Sequence, residues 1–205
     1  MNTPSLSLPG LRVLMADAGQ RRSPAIRLEL IRLRCQLVDV IDLGAQPDAL
    51  PAALERLAPD LVLIDCEQPA LPLLEQLGES LQAQPRAVLL FAEQMTPDQM
   101  RSALTAGISL PQLAGLALQR LGPLLQLTLA RFEHDQALQR DLRHTQTQLA
   151  ERKLVERARG ILMREQGLDE EAAFQRLRQL AMTGGQTLAS VAARLIDADQ
   201  LLRAR

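Results

Sequence analysis

The strongest limit on what this chain can fold into is an alternation that fills roughly its first 115 residues. Short apolar runs, LRVLMAD (Leu11 to Asp17), QLVDVIDL (from Gln36), DLVLID (Asp60 to Asp65) and RAVLLFA (from Arg86), are separated by stretches with helical spacing. Ser23 to Arg34 sets Ile26, Leu30 and Leu33 on one side, with Ser23 as the expected N-cap and Pro24 in the first turn. Asp48 to Leu57, LPLLEQLGESLQAQ and TPDQMRSALTAG read as further helices, the last starting at Thr96 and stopping at Gly107. In ISLPQLAGL, Pro111 allows only an edge strand or a loop. Leu116 to Leu127 then begins the next helix. Apolar strands alternating with amphipathic helices predict a parallel, doubly wound α/β domain over residues 11–120. The Pro/Ser-rich residues 1–10 are expected to be mobile.

Sites in such sheets form at the carboxyl ends of the strands, and Asp17 and Asp65 fall there. Five βα units with carboxylates at these two strand ends resemble the receiver domain of bacterial response regulators. That resemblance implies an acidic pair after the first strand, a phosphoacceptor Asp after the third, a hydroxyl after the fourth and a Lys after the fifth. The carboxylates would hold Mg²⁺, and the hydroxyl and ammonium would read the new phosphoryl charge. Here the first pair is Asp17-Ala18, Asp65 stands at the phosphoacceptor position, Ala92 replaces the hydroxyl, and the Lys position falls near Ala114. No Lys occurs between residues 1 and 150. The domain therefore reads as a degenerate receiver that works without phosphorylation, with Asp17 and Asp65 vestigial. Strand-end carboxylates also cap helices or face solvent, and that reading stays open.

Charge is uneven. Residues 1–120 hold 10 Lys/Arg against 13 Asp/Glu, and residues 151–205 hold 10 against 8, so the positive excess is C-terminal although the whole chain carries −1. Three Phe and no Trp or Tyr argue against base-stacking platforms of the single-strand-binding kind. Two cysteines imply no disulfide framework, and neither a signal peptide nor a long apolar run is present, so a cytoplasmic protein without a membrane span is expected.

Residues 121–152 carry no strand signal and form a predicted long connector helix, with Pro123 in its first turn. Leu138 and Leu142 are an i,i+4 pair and Leu149 lies one heptad beyond Leu142. The apolar repeat is interrupted at Thr145 and Arg152, so a coiled-coil-type dimerisation seam through Leu138, Leu142 and Leu149 stands beside a single exposed connector. His134 and His144 lack metal-ligand spacing and read as surface residues; no metal or other cofactor is expected.

The segment ERKLVERARGILMREQGLDEEAAFQRLRQLAM (Glu151 to Met182) reads as two helices broken at Gly167. The first buries Leu154, Ala158, Ile161 and Leu162 and groups Lys153, Arg157, Gly160 and Arg164 on a neighbouring face, with Arg159 on the flank. Gly160 in mid-helix marks a place of close backbone approach by a helix or a ligand. Asp169 caps the second helix, which buries Ala173, Leu177, Leu180 and Ala181 and exposes Arg176 and Arg178. Gly184-Gly185 ends it, and Thr187 caps a third helix with Leu188, Val191, Ala192, Leu195 and Ile196 inside and Asp197 and Asp199 outside. The long preceding helix is expected to run straight into the first.

The pattern A-R-G-I-L-M (from Ala158), then G-L-D-E-E-A-A-F (from Gly167), then L-R-x-L-A-M (from Leu177) resembles the ANTAR domain, an RNA-binding module of transcription antiterminators, over about residues 145–203. The order receiver-like domain, long helix, ANTAR is similar to the nitrate-responsive NasT type and more distantly to the amidase-regulating AmiR type. The resemblance implies binding of paired stem-loops in nascent leader RNA so that no terminator hairpin forms, here for nitrate or nitrite assimilation genes. Lys153, Arg157, Arg159, Gly160, Arg164 and Arg178 would carry the RNA, and Met163 and Met182 would sit in the core or its flank. It implies a homodimer, and control by a ligand-sensing partner protein related to solute-binding proteins. The rival readings are a response regulator of another pathway, amidase-type or phosphorylation-dependent, and a DNA-binding response regulator. No nucleophile elbow, phosphate-cradling loop or ligand cluster marks an enzyme.

Overall fold

The computed structural model describes residues 8–18, 22–46, 48–113 and 120–203. The element order is β1 (Arg12–Asp17), α1 (Ser23–Arg32), β2 (Gln36–Asp42), α2 (Ala49–Leu57), β3 (Leu61–Cys66), α3 (Leu71–Ala83), β4 (Ala87–Ala92), α4 (Pro97–Thr105), β5 (Leu110–Leu113), α5 (Leu121–Gln166), α6 (Glu170–Gly184) and α7 (Leu188–Arg203). The chain divides into two compact units, Met1–Gln136 and Ala137–Arg205, and α5 contributes to both.

In the first unit the strands form one parallel sheet in the order β2-β1-β3-β4-β5. The apolar runs lie flat in this sheet because alternate residues feed two cores, one on each face. Leu14, Ala16, Val62, Ile64, Val88 and Leu90 pack with Leu50, Leu54, Leu74 and Leu77 of α2 and α3. Val13, Met15, Leu61, Leu63, Leu89 and Phe91 pack with Ile26 and Leu30 of α1 and Leu121 and Leu125 of α5. Each such side chain taken fully out of water is worth about 1.5–3 kcal/mol, so a sheet buried on both faces explains why the runs are continuous rather than alternating. α4 opens with the expected Thr96 cap, extended to a capping box: Gln99 N–H donates to Thr96 Oγ1 (3.2 Å) and Thr96 N–H to Gln99 Oε1 (2.8 Å). β5 pairs with β4 only, which places Pro111 on the sheet edge, where its missing N–H costs least.

One detail departs from the sequence reading. Ser23 is the first residue of α1 rather than its cap; Arg22 holds that position without a side-chain cap, and the buried Ser23 Oγ has no hydrogen-bond partner. Arg22 is drawn instead toward Asp65 (described below). The long helix spans Leu121–Gln166; residues 1–7, the Lys position near Ala114 and the helix start expected at Leu116 lie outside the described residues.

In the second unit the end of α5, α6 and α7 enclose a small core of Ala158, Ile161, Leu162, Ala173, Leu177, Ala192 and Ile196, flanked by Leu154, Val155, Leu188, Val191 and Leu195. Fully buried alanines on all three helices let the backbones approach closely. α5 stops where Gly167 takes φ +64°, and Gly185 closes α6 at φ +59°, both left-handed turns that lack a Cβ penalty. Asp169 Oδ1 accepts from Ala172 N–H at 2.8 Å, and Thr187 Oγ1 accepts from Ser190 N–H at 3.2 Å, so both expected caps form.

Candidate nucleic-acid interface

On an α-helix of 3.6 residues per turn, Lys153, Arg157, Gly160 and Arg164 fall within an arc of about 60° on α5. Packing decides that this arc faces outward. Ala158, Ile161 and Leu162 point into the core, and all four members of the arc are exposed. A Cβ on Gly160 would meet nothing within 4 Å. Its exposed backbone is therefore not the seat of another helix of this unit.

The cations divide into two groups. Arg159 is tied to the first turn of α6, its Nη2 lying 2.8 Å from Glu170 Oε1. Arg164 is tied to α7 through Asp199 Oδ1 at 3.0 Å, with Glu165 Oε1 at 2.8 Å. Asp199 is thus a half-buried anchor and not the outward-facing residue expected from its helix position. Lys153, Arg157 and Arg178 form no ion pair among the described residues, which leaves their charges available to an outside anion. Arg176 and Arg194 are held only by neutral partners, Gln179 and Gln186. Two apolar expectations change as well. Leu180 is 37 % exposed, and Met163 and Met182 lie at the surface, at 37 % and 74 %. Beside the basic arc, Leu138, Leu142 and Leu149 are each more than half exposed and, with Met163, follow one side of α5.

The carboxyl edge of the sheet in the first unit is a separate charged cluster. Asp17 and Asp65 are direct register partners on β1 and β3, the two strands between which the chain order reverses, and both are buried. Arg22 reaches over Asp65. Its Nη2 lies 2.7 Å from Asp65 Oδ1, a short ionic contact off the hydrogen-bonding line, and its Nε donates to Asp65 Oδ2 at 3.3 Å. Nη2 also donates to the Cys66 carbonyl at 3.5 Å and stands 3.8 Å from Glu93 Oε1. Burial raises the pKa of Asp65 above its ordinary value; Arg22 pulls the other way, and Asp17 and Glu93 add to the rise. The Cys66 thiol donates to the Phe91 carbonyl and is pushed up to about 12, first by burial and then by Asp65. Among the described residues no group of three or more His, Cys, Asp or Glu side chains is placed to hold a metal ion. The receiver fold implies a divalent metal at this edge, but the residues do not suit one: Ala18 supplies no carboxylate, Ala92 no hydroxyl, and a guanidinium already engages Asp65.

Arg22 and Glu93 were not legible as site residues, since neither stands at a position where a receiver keeps a functional group. The one available signal was an Arg close to a strand-end acid whose own acidic neighbour is missing. Nor was Asp199 legible, because its role depends on α7 crossing α5.

Comparisons with known proteins bear on these clusters. Residues 143–196 match the ANTAR domain. The match spans the end of α5, all of α6 and the first half of α7, and so contains the exposed basic arc. Over 183 residues, 88% of this chain and 87% of the relative, the chain is 27% identical to the transcriptional regulatory protein PdtaR of Mycobacterium tuberculosis. Over 88 residues it is 36% identical to the nitrate regulatory protein of Klebsiella oxytoca, covering 43% of this chain and 22% of that one. The fold of the first unit is similar to a CheY-like response regulator receiver domain protein from Methanospirillum hungatei, with TM-score 0.52 and 16% identity over 62% of this chain and 98% of that chain. The chain thus contains an ANTAR domain over residues 143–196, preceded in sequence by an α/β unit of receiver-like fold. No described helix is long and apolar enough to cross a membrane.

Proposed function

We propose that this protein is an RNA-binding transcription antiterminator that holds stem-loops of nascent leader RNA through its ANTAR module. The observation that carries the reading is the coincidence of the ANTAR match with an outward arc of Lys153, Arg157, Gly160 and Arg164, in which Lys153 and Arg157 have no internal counter-charge. Phosphate oxygens take such charges, and unstacked loop bases can approach the bare backbone at Gly160. Arg178 extends the surface from α6, while Arg159 and Arg164 hold α6 and α7 in place and present their remaining donors. The protein acts in the cytoplasm on nitrate or nitrite assimilation genes, a reading supported by the likeness of its C-terminal part to a nitrate regulatory protein. It pairs with a second copy through Leu138, Leu142 and Leu149, so that two modules hold two adjacent loops. A ligand-sensing partner protein, rather than phosphorylation of Asp65, sets its activity.

A gel shift with tandem stem-loop RNA against duplex DNA of equal length tests the reading. RNA should bind with clear preference, and Lys153→Ala with Arg157→Ala should weaken binding by at least ~10-fold and lower the salt slope by about 1–2. Equal affinity for duplex DNA, or an unchanged affinity in the double variant with the fold intact, overturns it.

A further inference from the structure

We infer that Arg22 is a built-in cation standing where a divalent metal would sit at the carboxyl edge of the sheet, so that the receiver-like unit is complete without metal. Asp17 and Asp65 are buried and face each other across the β1–β3 pairing. Two carboxylates in that position need a compensating positive charge or must lose their own. A receiver meets the need with an exchangeable ion held by carboxylates and water. Here the charge belongs to the chain. Arg22 contacts both oxygens of Asp65, at 2.7 and 3.3 Å, donates to the Cys66 carbonyl at 3.5 Å, and has Glu93 within 3.8 Å on its outer side.

The chemistry of the two cations differs. Mg²⁺ asks for about six oxygens in octahedral array. A guanidinium offers a planar fork of donors and suits one carboxylate with a carbonyl beside it, the set found here. Its backbone tether matters too. Arg22 directly precedes α1, so the ion pair joins the end of β3 to the start of α1. It also explains why Arg22, rather than a capping side chain, occupies the helix entry. For a metal to reach Asp65, the guanidinium would first have to leave a carboxylate that is almost fully buried.

Thermal unfolding of the full chain tests the assignment, with about 10 mM MgCl₂ against NaCl of equal ionic strength. The wild-type midpoint should agree in the two salts to within ~1 °C. Arg22→Gln should lower the midpoint by ~5 °C by leaving Asp65 without its cation, and adding Asp65→Asn should recover most of that loss. A wild-type midpoint raised several degrees by Mg²⁺, or an Arg22→Gln midpoint equal to wild type, overturns the inference. Should Arg22→Gln alone fail to fold, recovery of folding by Asp65→Asn supports it, and a double variant as unstable as the single one overturns it.

Discussion

Asp65 carries opposing influences on one carboxyl group, and their balance has a measurable sign. Burial is the largest and raises its pKa above 3.8; Arg22 opposes it. A carboxyl whose folded value is raised contributes most to stability below its unfolded value, and that contribution is lost as pH rises through the folded value. Asp65→Asn removes the titration. The stability of the variant relative to wild type should therefore grow as pH rises from about 4 and level off once pH has passed the raised folded value. Urea unfolding across that range checks this, and a difference independent of pH would contradict the dominance of burial. The same edge keeps Cys66 unreactive. With its thiol pushed up to about 12 and its side chain buried, it presents almost no thiolate near neutrality. Iodoacetamide at mild alkaline pH should modify the half-buried Cys35 first and Cys66 only after denaturation, as peptide mass spectrometry would report.

At the scale of elements, the end of α5 serves two faces at once. One side closes the small core; the other shows cations around Gly160. Because Gly160 is helical, exposed and surrounded by open space, Gly160→Ala meets no steric obstacle and should stabilise the unit by up to about 1 kcal/mol. If RNA approaches the backbone there, the same methyl group should weaken RNA binding several-fold. A more stable protein with unchanged RNA affinity would remove Gly160 from the interface while leaving the neighbouring cations in place. Arg159 and Arg164 differ from Lys153 and Arg157 in this respect, since truncating either also cuts a tie between helices.

For the whole molecule, the leucine side of α5 is an apolar surface that lacks a partner among the described residues. Leu138, Leu142 and Leu149 are 55 %, 58 % and 52 % exposed, and a single helix gains little from showing them to water. Leu142→Gln with Leu149→Gln should turn a dimer into a monomer in sedimentation equilibrium while preserving helix content. Loss of pairing should lower affinity for tandem stem-loops far more than for a single loop, because only the former gains from effective concentration. A variant that stays dimeric would place the interface elsewhere.

Much of this organisation was legible in the chain. Four apolar runs with helices between them, and a weaker fifth that Pro111 confines to an edge strand or a loop, point to a doubly wound sheet, and the caps at Thr96, Asp169 and Thr187 and the stops at Gly107, Gly167 and Gly185 are local chemistry that short-range interactions enforce. The basic arc was equally local, since helical periodicity alone groups Lys153, Arg157, Gly160 and Arg164. Tertiary structure decided what depends on residues distant in sequence. It brought Arg22 onto Asp65 across 43 positions and Arg164 onto Asp199 across 35. It turned Met182 and Leu180 outward, because three short helices enclose too little volume to take every apolar side chain on their faces. Periodicity says which side of a helix is apolar; only the packed neighbours determine which of its charges are already neutralised, and so which remain free to bind.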